Sequence, residues 1–202
     1  MELIKLYIEM LLNCDFNKNK YSNLFGLSYV FIGDRMEYKV NKPYPEIRVE
    51  QPNLEYAKLL LEDYAGTISE DTAVHLYLYQ HLVADDLWEY YSKIIENISV
   101  VEMQHLEILG KLIKLLGLDP AFVSFKDDRL VAWTANYVNY TTDLETMIDV
   151  DIMSETKAIQ KYREHVQMLD DVYIKQILLR IIEDEEIHLD IFKKLKELLK
   201  KA

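Results

Sequence analysis

The sequence of 202 residues is long enough for one domain with a full hydrophobic core. Half of the residues are hydrophobic and only 5 are Gly and 4 are Pro, which favours long helices over a turn-rich sandwich or barrel. The net charge of -12 disfavours nucleic acids and anionic membranes as partners, because such partners are bound chiefly through Lys and Arg.

The single cysteine, Cys14, cannot form an internal disulfide, a four-cysteine iron site or a zinc ribbon. A metal site would therefore have to use Glu, Asp and His. No run approaches the roughly 20 apolar residues of a membrane span, and the apolar N-terminus lacks the basic segment and cleavage site of a signal peptide. These features predict a soluble, cytoplasmic protein.

Residues 1–52 are predicted to form an N-terminal extension that is partly extended. It begins with the amphipathic stretch MELIKLYIEMLLNCDF and ends with NKPYPEIRVEQPN, whose prolines favour extended backbone. Met36 is a second candidate for the natural start, because the recognisable pattern begins only after it. Residues 53–202 are predicted to form one helical bundle.

Helix start and stop signals divide this bundle into a short helix, LEYAKLLLEDYA, and four longer ones. The four are helix A from Thr67, helix B over 87–116, helix C over 142–169 and helix D from Asp170-Asp171 almost to the C-terminus. The predicted caps are Thr67, Asp86 and Thr142, and the predicted stops are Gly66 and Gly117. Residues 118–142 lack a helical period and are long enough to return the chain to the far end of a bundle. The predicted fold is an all-α four-helix bundle with one long crossover.

Two Glu-x-x-His motifs interrupt the apolar stripes of helices B and D. Glu102 and His105 are flanked by Ile94, Ile98, Leu109 and Leu112, and Glu185 and His188 by Leu178, Ile181, Phe192 and Leu195. A buried carboxylate and imidazole without partners would cost several kcal/mol. Two divalent cations would remove this cost, because they neutralise the carboxylates and use the imidazole lone pairs.

One such motif is weak evidence, since 5 His and 19 Glu in 202 residues give about 0.5 chance occurrences. A second glutamate precedes each motif, however: Glu70 lies 32 positions before Glu102, and Glu155 lies 30 before Glu185. Both additional glutamates share helical stripes with inward-facing residues. Four Glu and two His form the donor set of di-metal carboxylate bundles. The predicted metal ligands are Glu70, Glu102, His105, Glu155, Glu185 and His188.

Some of these residues have a second interpretation. Glu70 could serve only in a capping box with Thr67, in which case Glu62 would be the alternative ligand. His105 and His188 could be core histidines with ordinary hydrogen-bond partners.

Three further residues are candidates to support the ligands. Tyr77 and Tyr162 lie seven positions after Glu70 and Glu155, and either tyrosine could hydrogen-bond a ligand carboxylate or only fill the core. Asp184 could hold a ligand imidazole or lie on the surface. The other histidines are interpreted as structural because no glutamate lies three positions before them: His75, His81 and His165.

Several stretches resemble the ferritin-like superfamily, and within it the manganese catalases and their spore-coat relatives. They are YPEIRVEQPNLEYAKLLLEDYAGTISE, VVEMQHLEILGKLIKLLG, SETKAIQKYREHVQMLDD and IIEDEEIHLDIF, and they span most of residues 44–193. In manganese catalases the first Glu ligand follows a Gly-containing turn, so the resemblance favours Glu70 over Glu62. The resemblance also implies that Glu185 lies near the metals without necessarily binding them, whereas in di-iron relatives such as rubrerythrin it would bridge both.

The resemblance implies a homo-oligomer that dismutates hydrogen peroxide at a dinuclear manganese centre, with Glu185 as the general acid and base. One alternative is a di-iron ferroxidase or rubrerythrin-like peroxidase, because oxygen and nitrogen ligands accept Mn and Fe alike. Another is a non-catalytic coat protein, which would be spore-associated. The chain departs from manganese catalases in its N-terminal segment, which has no recognised counterpart, and in ending soon after helix D.

Overall fold

The computed structural model describes residues 36–126 and 129–201, so the amphipathic stretch at the N-terminus lies outside the described residues. Five α-helices form within these residues: α1 Leu54–Ala65, α2 Glu70–Ala84, α3 Glu89–Leu116, α4 Leu144–Met168 and α5 Val172–Leu199. Helix α2 packs against α3 and α4 against α5, so two helical hairpins build the bundle. The predicted all-α four-helix bundle is confirmed. Within the described residues, no helix is long and apolar enough to cross a membrane.

The start of α2 differs from the sequence prediction. Ser69, not Thr67, caps the helix, because the Ser69 hydroxyl accepts a hydrogen bond from the Thr72 amide at 3.2 Å and donates one to the Gly66 carbonyl at 2.7 Å. Glu70 is consequently the first helical residue. The predicted capping box is wrong, and the Glu70 side chain is 3% exposed, buried against the bundle interior.

Two other helix starts shift by one or two residues. Helix α3 begins after Trp88 rather than after Asp86, and Trp88 is 2% exposed, so packing rather than a polar cap sets this end. Asp143, not Thr142, caps α4 by accepting a hydrogen bond from the Thr146 amide. The stop predicted at Gly117 is confirmed, with a left-handed φ of 102° that favours glycine.

The crossover between the hairpins contains an antiparallel β-hairpin that the sequence did not predict. Strands β1 Val123–Lys126 and β2 Arg129–Ala132 pair with each other, and β1 packs on α1. A short 3-10 helix follows at Ala135–Tyr137. The Trp133 indole N–H then donates to the Thr72 hydroxyl at 3.0 Å, which fixes the crossover against α2.

The core consists of two apolar clusters, one towards each end of the bundle. One cluster includes buried residues from Tyr91 to Ile98 on α3 and from Ile191 to Leu195 on α5. The other includes buried residues from Ile108 to Leu116 on α3 and from Ile174 to Ile182 on α5. The predicted flanking residues of both motifs are buried in these clusters. Each Glu-x-x-His motif therefore lies midway along its helix, between the two apolar regions.

Candidate dinuclear metal centre

All six predicted ligand side chains meet in the middle of the bundle. They are 3% exposed or less and come from all four long helices. Their potential ligand atoms form two groups, each within 4.8 Å: Glu70, Glu102, His105 and Glu185 in one, and Glu102, Glu155, Glu185 and His188 in the other. Because Glu102 and Glu185 belong to both groups, the arrangement has two adjacent metal-sized positions that share two carboxylates. The role of these residues as ligands stays a prediction.

Both imidazoles direct Nδ1 towards the shared carboxylates. Nδ1 of His105 lies 3.1 Å from Glu102 Oε2 and 3.1 Å from Glu185 Oε1. Nδ1 of His188 lies 2.9 Å from Glu102 Oε1 and 3.0 Å from Glu185 Oε2. The two shared glutamates thus each face both histidines.

The second nitrogen of each imidazole has a partner outside the cluster. Nε2 of His188 donates to the Tyr38 carbonyl at 2.8 Å, and Nε2 of His105 donates to Asp184 Oδ2 at 3.2 Å. A carbonyl can only accept, so Nε2 of His188 carries a proton, and the ring in its neutral form would present the Nδ1 lone pair to the carboxylates. The ionised Asp184 imposes the same tautomer on His105.

Burial and mutual repulsion make two of the carboxyl groups weak acids in the metal-free cluster. Burial, together with Glu102 and Glu185, raises the pKa of Glu70 well above its usual value. Burial, Glu185 and Glu102 raise the pKa of Glu155 in the same way. These two groups therefore hold protons when no cation neutralises the site.

The histidines and the shared glutamates form the charged part of the cluster. Burial opposes a charge on His188, but Glu102 and Glu185 outweigh it and raise the pKa of His188 to about 10. Glu185 and Asp184 likewise raise the pKa of His105 against the effect of burial. The same contacts lower the pKa values of Glu102 and Glu185 despite their burial. In the metal-free cluster, the four side chains with raised pKa values thus favour bound protons, which balance the negative charge that metal ions would otherwise balance.

Tyr77 and Tyr162 connect the two hairpins crosswise. The Tyr77 hydroxyl on α2 donates to Glu155 Oε1 on α4, and the Tyr162 hydroxyl on α4 donates to Glu70 Oε1 on α2. Both rings are buried. Each tyrosine therefore orients the single glutamate of the other hairpin.

Asp184 is buried beneath the residues that precede α1. Its carboxylate accepts hydrogen bonds from the Val40 amide at 2.7 Å and the Tyr44 hydroxyl at 2.6 Å, and it lies 2.5 Å from Arg180 Nη1. Burial opposes its ionisation, but His105, these donors and Arg180 lower the pKa of Asp184 to about 2. Sequence reasoning missed Val40, Tyr44 and Arg180. Arg180 did carry a signal, since it lies four positions before Asp184, a spacing at which an Arg and an Asp meet on a helix.

A cavity of about 260 Å³ reaches the carboxylates from the side of α2 and α4. Its lining includes the four clustered glutamates together with Lys161. The Lys161 ammonium donates to the Glu62 carbonyl at 2.8 Å and lies 3.2 Å from Asp63, which ties α4 to the end of α1. Glu62, the alternative to Glu70, belongs to neither four-residue group.

The remaining histidines bond outside the cluster. His75 contacts the Asp71 carbonyl, His81 contacts Ser92, and His165 Nδ1 lies 2.7 Å from Asp63.

A second buried polar cluster lies beside the centre and was not predicted. The Tyr91 hydroxyl donates to Asp151 Oδ2 at 2.7 Å and lies 3.1 Å from Gln80 Oε1, and all three residues are fully buried. Burial raises the pKa of Asp151 to about 8. The available signal was the position of Asp151 one helical turn before Glu155.

Two helical hairpins that each supply a Glu and a Glu-x-x-His to one buried centre define the ferritin-like class of di-metal carboxylate bundles. The chain belongs to the rubrerythrin family, whose model matches residues 64–196. The resemblance to the ferritin-like superfamily is thereby confirmed.

Individual relatives fall into two groups. The chain is 26% identical to a probable manganese catalase of Clostridium acetobutylicum over 169 residues, which cover 73% of each protein. The crystal structure of the manganese catalase KatB from Anabaena superposes with a TM-score of 0.72 at 26% identity, over 82% of each chain. The bacterioferritin of Desulfovibrio desulfuricans is 28% identical over 123 residues, 58% of this chain and 62% of that protein.

Proposed function

We propose that this protein dismutates hydrogen peroxide to water and oxygen at a dinuclear manganese centre. The proposed ligands are Glu70, Glu102, His105, Glu155, Glu185 and His188. One observation carries the proposal: two four-residue groups overlap at Glu102 and Glu185 in a buried site that a cavity reaches. Similarity to manganese catalases over 73% to 82% of the chain supports manganese as the metal.

The donor atoms fit a pair of divalent cations. Glu102 Oε1 is buried without a hydrogen-bond donor, and Nδ1 of His188 lies 2.9 Å away. With the proton of His188 on Nε2, two lone pairs would face each other unless a cation or a proton lay between them. Four carboxylates would balance the charge of two divalent ions, and an oxygen and nitrogen donor set suits Mn and Fe.

The electron chemistry would come from the metal pair, which can accept two electrons from one peroxide and return two to another. The protein residues position the substrate and move protons. Glu185 lines the cavity, so its carboxylate can accept a proton from peroxide and return it to the oxygen that leaves as water. Tyr77 and Tyr162 keep Glu155 and Glu70 in fixed orientations throughout.

A di-iron peroxidase or ferroxidase is the second candidate. Glu185 faces both imidazoles at 3.0 to 3.1 Å, which is the placement expected of a glutamate that bridges two iron ions. The similarity to a bacterioferritin supports the same alternative. These 202 residues contain one cysteine, so they cannot by themselves build a four-cysteine iron site.

Metal analysis combined with an oxygen electrode tests the proposal. Protein purified without added metal should contain about two Mn per chain and release oxygen from peroxide. Iron together with peroxide consumption but no oxygen would support the di-iron candidate instead. Bound metal without turnover would contradict both enzyme proposals and support a structural metal site.

A further inference from the structure

Residues 38–44 form an extended segment, here called the strap, that lies against α3 and α5. It has neither helix nor strand; Lys39 Nζ donates to Gln104 of α3 at 2.8 Å, and the Val40 amide donates to Asp184 of α5 at 2.7 Å. The cavity that reaches the carboxylates lies instead between α2 and α4. The metal centre is therefore open on one side and covered by the strap on the other.

The strap holds His188 directly. Nε2 of His188 donates to the Tyr38 carbonyl at 2.8 Å. The two hairpins differ at this point, because Asp184 precedes Glu185 on α5 whereas Val101 precedes Glu102 on α3. Valine at position 101 cannot accept a hydrogen bond from His188 as Asp184 does from His105. The Tyr38 carbonyl of the strap accepts that hydrogen bond instead.

The strap holds His105 through one intermediate residue. Asp184 accepts the Nε2 proton of His105, and its other hydrogen bonds come from the Val40 amide and the Tyr44 hydroxyl. Removing either strap donor would leave part of a buried carboxylate unpaired. Both imidazoles therefore depend on the same seven residues.

Arg180 fastens the strap to α5. Its Nη2 donates to the Val40 carbonyl at 2.9 Å and the Lys42 carbonyl at 3.2 Å, and its guanidinium lies 4.5 Å from the Tyr44 ring centroid. The side chain is 4% exposed and its Nη1 lies 2.5 Å from Asp184. A buried guanidinium is costly without partners, and in the docked strap Arg180 has two carbonyl acceptors and an ion pair with Asp184.

We propose that the strap is a positioning element that couples the two metal positions. Its docking fixes the orientation of both imidazoles, so one segment sets the affinity at both positions. Coupling between binding events is reciprocal, and metal binding at either position therefore stabilises the docked strap. This inference rests on the proposed metal centre but not on the reaction that the centre catalyses.

Two strap variants and one matched control test the coupling. Tyr44→Phe removes only the hydroxyl that bonds Asp184, and Arg180→Lys keeps the positive charge but cannot span the two strap carbonyls and Asp184. Tyr56→Phe is the control, because Tyr56 is also half-buried and its hydroxyl accepts a hydrogen bond from the Asp170 amide at 3.1 Å, away from the centre. All three variants are compared with wild type for Mn²⁺ binding, followed by the EPR signal of free Mn²⁺, and for amide hydrogen exchange over residues 38–44.

Both strap variants should bind each of two Mn²⁺ ions about tenfold more weakly or worse, the usual effect of losing a group that orients a ligand. Amide exchange in the strap should be faster in both variants, and Mn²⁺ should slow it in wild type. Tyr56→Phe should match wild type in both measurements.

Wild-type Mn²⁺ affinity in both strap variants would overturn the coupling. It would also be overturned if each variant lost affinity for only one of the two Mn²⁺ ions. Strap exchange that is the same with and without Mn²⁺ would also overturn it. The outcome is separable from that of the proposed reaction. Wild-type protein that binds two Mn²⁺ without releasing oxygen would contradict the reaction alone, and unchanged affinity in the variants would contradict the strap alone.

Discussion

Glu102 belongs to both four-residue groups, so both proposed metal positions depend on it. Its two oxygens lie 3.1 Å from His105 Nδ1 and 2.9 Å from His188 Nδ1. Glu102→Gln keeps the shape of the side chain but removes the charge, so we expect the affinity for both Mn²⁺ ions to fall by more than about 100-fold. Equilibrium dialysis with metal analysis measures this loss.

Glu107→Gln is the matched control for that prediction. Glu107 lies on the same helix, is exposed and pairs with Lys111 at 2.6 Å. This variant should keep wild-type metal content. Full metal content in Glu102→Gln as well would refute the assignment of the site.

Asp151 should make the stability of the metal-free protein fall as pH rises. Its pKa is about 8 in the folded protein and about 3.9 in an unfolded chain. Between these pH values the folded state binds more protons than the unfolded state. The free energy of unfolding therefore falls as pH rises, by at most about 1.4 kcal/mol for each pH unit. Asp151→Asn should remove this contribution and raise the free energy of unfolding at pH 9 by a few kcal/mol relative to wild type. Urea unfolding at pH 5 and pH 9 measures the difference.

Asp149→Asn separates the effect of burial from a general effect of charge on α4. Asp149 is exposed and pairs with Lys196. Its substitution should change the unfolding free energy by less than about 1 kcal/mol at either pH. An equal response of the Asp149 and Asp151 variants would contradict the buried-carboxyl explanation.

The grouping of the six central side chains could be predicted from the sequence, but few of the contacts around them could. Helical spacing was sufficient to group the glutamates and histidines, because i, i+3 spacing and apolar stripes are local properties. The partner of His188 is the Tyr38 carbonyl, and a backbone atom 150 positions away leaves no signature in residue types. The contact of Tyr44 with Asp184 is equally non-local. Side chains near the centre could be predicted, whereas contacts that depend on the path of the backbone could not.

At the scale of a helix, the two aspartate caps should stabilise the fold by different amounts. Asp143 caps α4 by accepting hydrogen bonds from the amide and the hydroxyl of Thr146. Asp171 caps α5, because its Oδ1 accepts hydrogen bonds from the Tyr173 and Ile174 amides. Its Oδ2 also accepts a hydrogen bond from the Glu50 amide at 2.7 Å. Asp143→Ala should lower the free energy of unfolding by about 1 kcal/mol. Asp171→Ala should lower it by about 2 kcal/mol, because the amide of Glu50 is also left unpaired.

Thermal and urea unfolding of both alanine variants measure this difference. Asp171→Asn is a useful comparison, since asparagine can still cap a helix with its side-chain oxygen. A loss of no more than about 1 kcal/mol in Asp171→Ala, the value of a cap alone, would show that the Glu50 contact adds nothing to stability.

The helices were predictable as elements, and their exact starts were not. Strong periodicity defined α3 and α5, whereas Thr142 and Asp143 are adjacent residues that can both cap a helix, and only tertiary contacts choose between them. Strand β1 (VSFK) alternates apolar and polar residues over only four positions and β2 (RLVA) does not alternate, so the local signal was too short to separate this hairpin from an irregular crossover.

At the scale of the whole molecule, metal binding should be linked to pH and to folding. The metal-free centre holds protons on Glu70, Glu155, His105 and His188, whose pKa values are all raised. Metal ions must displace these protons, so the affinity for Mn²⁺ should fall as the pH is lowered from 8 to 6. Calorimetric titration in two buffers of different ionisation enthalpy measures the proton release.

Metal removal should also destabilise the fold. A free Mn²⁺ concentration 100 times the dissociation constant should add about 2.7 kcal/mol to the free energy of unfolding. The midpoint of thermal unfolding should therefore fall when a chelator is added. An unchanged midpoint, or an affinity independent of pH, would mean that the buried carboxylates do not bind the added metal.

The position of the six polar side chains between two apolar clusters has a consequence for folding specificity. Two hairpins lined with leucine and isoleucine could slide past each other by one helical turn, about 5.4 Å, and still bury apolar surface. Such a shift would break both tyrosine bonds and place Glu70 and Glu155 against aliphatic side chains, where a charge has no partner. The polar centre therefore fixes the axial register of the two hairpins, and only one alignment satisfies all six side chains.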